Sequence, residues 1–180
     1  RNDWMGLSKI NHLPSNKFEK QDYNRIMCAV GGLTMYRKIL ITTDGSTVSK
    51  ATACAGVKFA QQMGAEVLAL YVAPEYQYPV YVEIIPPTYP SEEEYLVQMQ
   101  RVGSEHLRSI LEAAEKNGLQ HSGMVAFADS AAQKIVDVAD EQNCDLIFMG
   151  SHGRSGWGQI LLGSVTNKVL SHTQKPVLVH

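Results

Sequence analysis

From Tyr36 onward, short unbroken apolar runs alternate with longer stretches in which apolar residues recur every three or four positions. The runs occupy residues 39–41, 67–72, 124–127, 146–149 and 177–179. Continuous rather than alternating hydrophobicity is the pattern of strands covered on both faces, as in a parallel sheet. The stretches between them predict helices over 48–63, 91–117, 130–142 and 164–172. The second of these, 91–117, is the clearest. Leu96, Met99, Gly103, Leu107, Ile110, Leu111 and Ala114 are spaced by threes and fours, and Ser91 with Glu94 forms a capping-box pattern at its start. Asn117-Gly118 marks its end, while Gly64, Asn143 and Pro176 supply stops elsewhere.

Five strands alternating with four helices give an α/β chain. Parallel neighbours require crossovers, crossovers are right-handed, and the result is an open twisted sheet with helices on both faces. Strand order does not follow from this pattern. One connection, 73–90, is long and carries Pro74, Pro79, Pro86, Pro87 and Pro90 with Tyr76, Tyr78, Tyr81 and Tyr89. Two readings are open for it: a lid beside a ligand, or surface packing.

Residues 1–34 break the pattern, with five basic and three acidic residues and isolated Trp4, Leu7, Ile10, Leu13 and Phe18. They lack the compact apolar core of a secretory signal. The plainer reading makes them expression-derived or upstream read-through sequence, with Met35 the natural start; the alternative is a native extension that packs on a partner. The expected organisation is a leader over 1–34 and one domain over 35–180.

Composition narrows the function. Of 180 residues, 44% are hydrophobic and 19% charged, suiting a single packed domain. A net charge of −2 argues against nucleic acid, whose binding rests on clustered cations. The domain itself sets eleven basic against fifteen acidic residues, or −4. No apolar stretch nears the roughly 20 residues needed to span a bilayer. Cys28, Cys54 and Cys144 are odd in number and widely spaced. Such cysteines build no zinc cage or disulfide framework, and a reducing cytoplasm is the expected compartment. Cys54 and Cys144 read as small buried hydrophobes.

Two strand ends carry unusual residues. The first is followed by Thr42-Thr43-Asp44-Gly45-Ser46, and the fourth by Met149-Gly150-Ser151-His152-Gly153-Arg154, with Gly163-Ser164-Val165 opening the next helix. In open α/β sheets ligands bind beyond the C-terminal strand ends. Gly150 and Gly153 let backbone approach a ligand, and the free N–H groups and positive end of the helix at Gly163-Ser164 suit a phosphate. Arg154 adds a nearby cation, either toward phosphate or in solvent. The pattern points to an anionic nucleotide. Plainer roles stand beside these: Ser164 as an N-cap, the glycines as turn residues, and Asp44 as an N-cap or Asx-turn. His152 reads as a loop histidine rather than a base, and Trp157 as a surface or interface anchor. Glu92-Glu93-Glu94 complements a helix dipole and needs no metal.

Several enzyme motifs fail on spacing. Gly153 and Gly158 have a P-loop gap, but Gln159 stands where lysine is required. Gly156, Gly158 and Leu161 break the dinucleotide fingerprint at its third glycine. Gly153-Arg154-Ser155-Gly156 lacks the second glycine spacing of a nucleophile elbow. No catalytic residue is assigned.

Gly150, two residues, Gly153, nine residues, then Gly163-Ser164 resembles the ATP-binding signature of the universal stress protein family. The opening MYRKILITTDGS, the segment CDLIFMGSHG, the segment LLGSVTNKVL and the closing KPVLVH are similar too, so the resemblance spans Met35 to His180. It implies a three-layer, Rossmann-like, adenine-nucleotide α-hydrolase-like fold with five parallel strands in order 3-2-1-4-5. It implies ATP, AMP or ADP as ligand. Asp44 and the backbone around Thr42 and Val72 would then contact the adenosine part. Gly150, Gly153, Gly163, Ser164 and Val165 would hold ribose and phosphates, with Thr43, Met149 and Arg154 counted in the same nucleotide site. It also implies a homodimer through Val177, Leu178 and Val179. The expected function is a nucleotide-dependent regulatory or stress-response protein acting on a client protein. The competing expectation is a slow ATPase or nucleotide-handling enzyme using the same crevice, with Mg²⁺ or Mn²⁺ brought in by the phosphates.

Overall fold

The computed structural model describes residues 35–78, 89–151 and 162–180. Five strands run β1 (Lys38–Thr42), β2 (Glu66–Ala73), β3 (His121–Phe127), β4 (Leu146–Met149) and β5 (Val177–Val179). Four helices alternate with them: α1 (Thr47–Met63), α2 (Glu92–Lys116), α3 (Ala131–Glu141) and α4 (Ser164–His172). All neighbouring strands are parallel, in the order β3-β2-β1-β4-β5.

Alternation along the inner strands divides the core into two layers. Ile39, Ile41, Val67, Ala69, Tyr71, Leu146 and Phe148 turn to one face and pack under Ala53, Val57 and Ala60 of α1 and Leu107, Ile110 and Ala114 of α2. Leu40, Leu68, Leu70, Ile147 and Met149 turn to the other, against Ile135, Val136 and Ala139 of α3 and Val169 of α4. Helices on both faces are what make the central runs apolar throughout.

The edge strands depart from that rule. β3 begins at His121, three residues before its apolar run, and His121, Ser122 and Gly123 are exposed. Its backbone pairs with Val67–Ala73 regardless of side-chain polarity. An edge strand is held by one neighbour and covered less completely, so hydrophobicity understates its length. β5 is half-buried for the same reason.

Local signals set the helix ends. Ser91 and Glu94 form both bonds of the capping box. Gly64 ends α1 with φ 65°, a left-handed conformation natural to glycine. Leu96 is more exposed than its spacing predicts, because α2 meets Tyr76 at its first turn (Tyr76 and Tyr95 centroids 5.5 Å apart) and meets the sheet only further on. The described ends of the 73–90 connection are tied together. Tyr76 donates to the Pro90 carbonyl at 2.9 Å, Tyr89 to Gln77 at 2.7 Å, and Tyr95 to Pro74 at 3.0 Å. Pro79, Tyr81, Pro86 and Pro87 lie outside the described residues, as do residues 1–34 with Cys28. Among the described residues no helix is long and apolar enough to cross a membrane.

Candidate functional site

The order β3-β2-β1-β4-β5 reverses direction between β1 and β4, and there the crossovers leave to opposite faces. A cavity of about 380 Å³ opens at the C-terminal strand ends. It is lined by Thr42, Thr43 and Asp44 at the end of β1, Val72 and Pro74 at the end of β2, and Met149 and Gly150 at the end of β4. Helix N-termini close it: Ala131 and Ile135 from α3, and Gly163, Ser164, Val165 and Thr166 from α4.

The β1–α1 loop is internally braced. Thr43 N–H donates to the Leu70 carbonyl at 3.0 Å, carrying the β1–β2 ladder one residue past β1. Ser49 donates its hydroxyl proton to the Ser46 carbonyl at 2.9 Å. That proton being committed, the 3.0 Å contact between Thr43 Oγ1 and Ser49 Oγ has Thr43 as donor. Gly45 N–H in turn donates to Thr43 Oγ1 at 3.1 Å. Asp44 Oδ1 accepts from Ser46 N–H at 3.0 Å, an Asx-turn, while Ser46 itself caps α1. The expected N-cap role thus belongs to Ser46, and Asp44 keeps the turn role while lining the cavity.

The far wall is equally fixed. Thr166, 3% exposed, donates its hydroxyl to the Gly150 carbonyl at 2.9 Å, and Gly163 N–H donates to Ser151 at 2.7 Å. Ser151 N–H reaches the His180 carbonyl at 2.8 Å, linking this loop to the end of β5. Gly163 is the N-cap of α4 and contributes no side-chain bond; Ser164 is the first helical residue rather than the cap. The opening N–H groups of a helix have no partner within it, and here they open on the cavity with the positive end of the dipole.

Thr42, Thr43, Asp44, Val72, Met149, Gly150, Gly163, Ser164 and Val165 therefore surround one cavity. Gly153 and Arg154 lie outside the described residues, as do His152 and Trp157. Among the described residues, no cluster of three or more His, Cys, Asp or Glu is placed to hold a metal.

A sequence model of the Universal stress protein family matches residues 35–180. The chain belongs to the universal stress protein family. The universal stress protein MJ0531 of Methanocaldococcus jannaschii is 35% identical over 153 residues, covering 82% of this chain and 84% of its own. The solved structure of MJ0577 from the same organism is 29% identical with a TM-score of 0.64, covering 81% of this chain and 95% of that one. The universal stress protein from Archaeoglobus fulgidus in complex with dAMP shares the fold at 20% identity and TM-score 0.54, over 80% of this chain and 97% of its own. The sheet order and helix layers are those of the adenine-nucleotide α-hydrolase-like fold.

This universal stress protein domain lines its cavity with further residues that sequence reasoning passed over: Ser49, Leu70, Tyr71, Pro74, Ala131, Ile135 and Thr166. Ile135 and Leu70 look like core positions because they are core positions, and only the crossover shows that their ends reach the cavity. Thr166 could have been suspected as a polar residue two positions past the glycine-serine pair. Val177, Leu178 and Val179 do not line the cavity; they form the edge strand. Cys144 is buried as expected, with its thiol pushed up to about 11 by desolvation. Cys54 is exposed, since α1 turns Ala53, Val57 and Ala60 toward the sheet and Cys54 away.

Proposed function

We propose that this domain binds an adenine nucleotide in the cavity beyond β1, β2 and β4, and acts as a homodimeric, nucleotide-dependent regulatory protein of the cytoplasm. The observation that carries the reading is the shared opening of Asp44 and the glycine-capped N-terminus of α4 on one cavity. The domain is acidic overall, so phosphate recognition would rest on oriented N–H groups rather than on a basic patch. Val72, Pro74, Ile135 and Met149 offer an apolar wall suited to a base, and Asp44 a carboxylate suited to ribose hydroxyls. The A. fulgidus relative was solved with dAMP, a ligand of the same class. ATP, ADP and AMP share the adenosine part; a divalent ion would arrive on the phosphates.

The dimer reading rests on β5. Pro176 accepts from Ile147 N–H and His180 N–H donates to Met149, both at 3.0 Å, so alternate residues face β4. Val177 and Val179 consequently turn their N–H and C=O groups outward, an edge that a second copy could pair with.

Calorimetric titration with AMP and ATP tests the site. Wild type should bind, and Gly163→Val should abolish binding by filling the approach to α4, with Asp44→Ala weakening it. Equal binding by wild type and Gly163→Val would sink the assignment. Sedimentation velocity tests the dimer: Val179→Pro, which removes an outward donor, should give monomer where wild type gives dimer. A monomeric wild type overturns that part.

A further inference from the structure

We propose that His106 of α2 is a positioning residue for the nucleotide cavity, holding the Asp44-Gly45 loop through its ring contact with Gly45. The inference rests on the cavity being the nucleotide site. Three contacts carry it. First, α2 comes unusually close to the sheet at Gly103, where a Cβ would stand 2.8 Å from the Tyr71 ring and 2.6 Å from Val125. Nothing but a hydrogen fits there without displacing a core side chain. Second, one turn later, the half-buried His106 ring packs on Tyr71, with centroids 5.1 Å apart and planes tilted by 51°. Tyr71 is 5% exposed and lines the cavity, so the ring it supports cannot drift far. Third, the imidazole lies directly over Gly45, such that a Cβ on Gly45 would fall onto the ring itself.

Gly45 has φ +80°, the left-handed region, and is the residue at which the chain leaves Asp44 for α1. Loops with a left-handed glycine have alternative conformations close in energy. The hydroxyl chain anchors Gly45 N–H to Thr43, and Ser46 N–H anchors the Asp44 carboxylate, but both bonds are made within the loop. His106 adds a contact from another element. Its ring blocks the space into which Gly45 would move, and so fixes where Asp44 meets a ligand. A loop ordered beforehand spares the ligand that ordering on binding.

The experiment compares wild type, His106→Ala, His106→Phe and Leu107→Ala. Each is titrated with AMP, and amide hydrogen exchange at Ser46 is followed in the nucleotide-free protein. His106→Ala should weaken AMP binding about two- to tenfold, the scale of ordering one or two side chains, and should speed exchange at Ser46. His106→Phe keeps a ring over Gly45 and should restore both. Leu107→Ala, a core change on the same helix, should lower the melting temperature while leaving AMP affinity near wild type. If His106→Ala does not fold, His106→Gln, which lacks the aromatic ring, takes its place. Wild-type AMP binding and Ser46 exchange that the ring-deleting variant leaves unchanged overturn the inference alone. Losses that His106→Phe fails to rescue overturn it too. A wild type that binds no AMP overturns the reading of the cavity, and the inference falls with it.

Discussion

Cys144 and Cys54 differ by one fact, which side of the core they face. Cys144 is 1% exposed between α3 and β4, and burial raises its thiol to about 11. Because the folded value lies above the ordinary thiol value, the neutral form it protects is fully stabilising below that value. The contribution is lost as pH rises through about 11. At neutral pH the buried thiol should resist alkylation, since the thiolate is the nucleophile. Peptide mapping after N-ethylmaleimide treatment should find Cys54 modified in the native protein and Cys144 only after unfolding. Rapid native modification of Cys144 would contradict its placement. Residue-scale chemistry of this kind was only half legible in sequence: a small apolar residue near a helix gives no sign of which face it occupies until the neighbouring helix is in place.

At the scale of elements, the start of α2 carries the clearest electrostatic consequence. Glu94 sits below the ordinary carboxylate range because its carboxylate accepts first from Ser91 backbone N–H and then from the Ser91 hydroxyl. A depressed folded value means that its stabilisation is in place above the unfolded value and lost as pH falls through the folded one. The melting temperature of Glu94→Gln should therefore lie below wild type at neutral pH, and the two curves should converge in acid. A gap that persists undiminished in acid would contradict the ionic half of the box. This box was legible, being a local pattern of two residues three apart. The extent of β3 was not. His121, Ser122 and Gly123 join the sheet through backbone bonds to β2, and hydrophobicity does not report bonds of that kind. β1, β2 and β4 were readable because helices on both faces demand apolar side chains along their central positions.

For the whole molecule, what brings the site together is topology. Thr42 to Asp44 and Gly150 stand more than a hundred positions apart, yet β1 pairs with β4, with Ile41 opposite Phe148. Apolar periodicity predicted five strands and four helices but left their order open; the order came from the family resemblance, which the sheet bears out. Thr42, Asp44, Gly163 and Ser164 were legible as candidates because polar residues and glycine at a strand end or a helix start break a hydrophobic pattern, whereas Val72 came only from the family resemblance. Tyr71, Ile135 and His106 were not, since each continues the pattern of its own element. Occupancy of this cavity by the proposed nucleotide is tested by chemical-shift mapping of the ¹⁵N-labelled protein during titration with AMP. The largest amide shifts should cluster at Thr43, Asp44, Gly45, Val72, Gly150, Ser164 and Val165. Shifts centred instead on the open groove along Arg101, Arg108 and His121, or no shifts at saturating AMP, would contradict it.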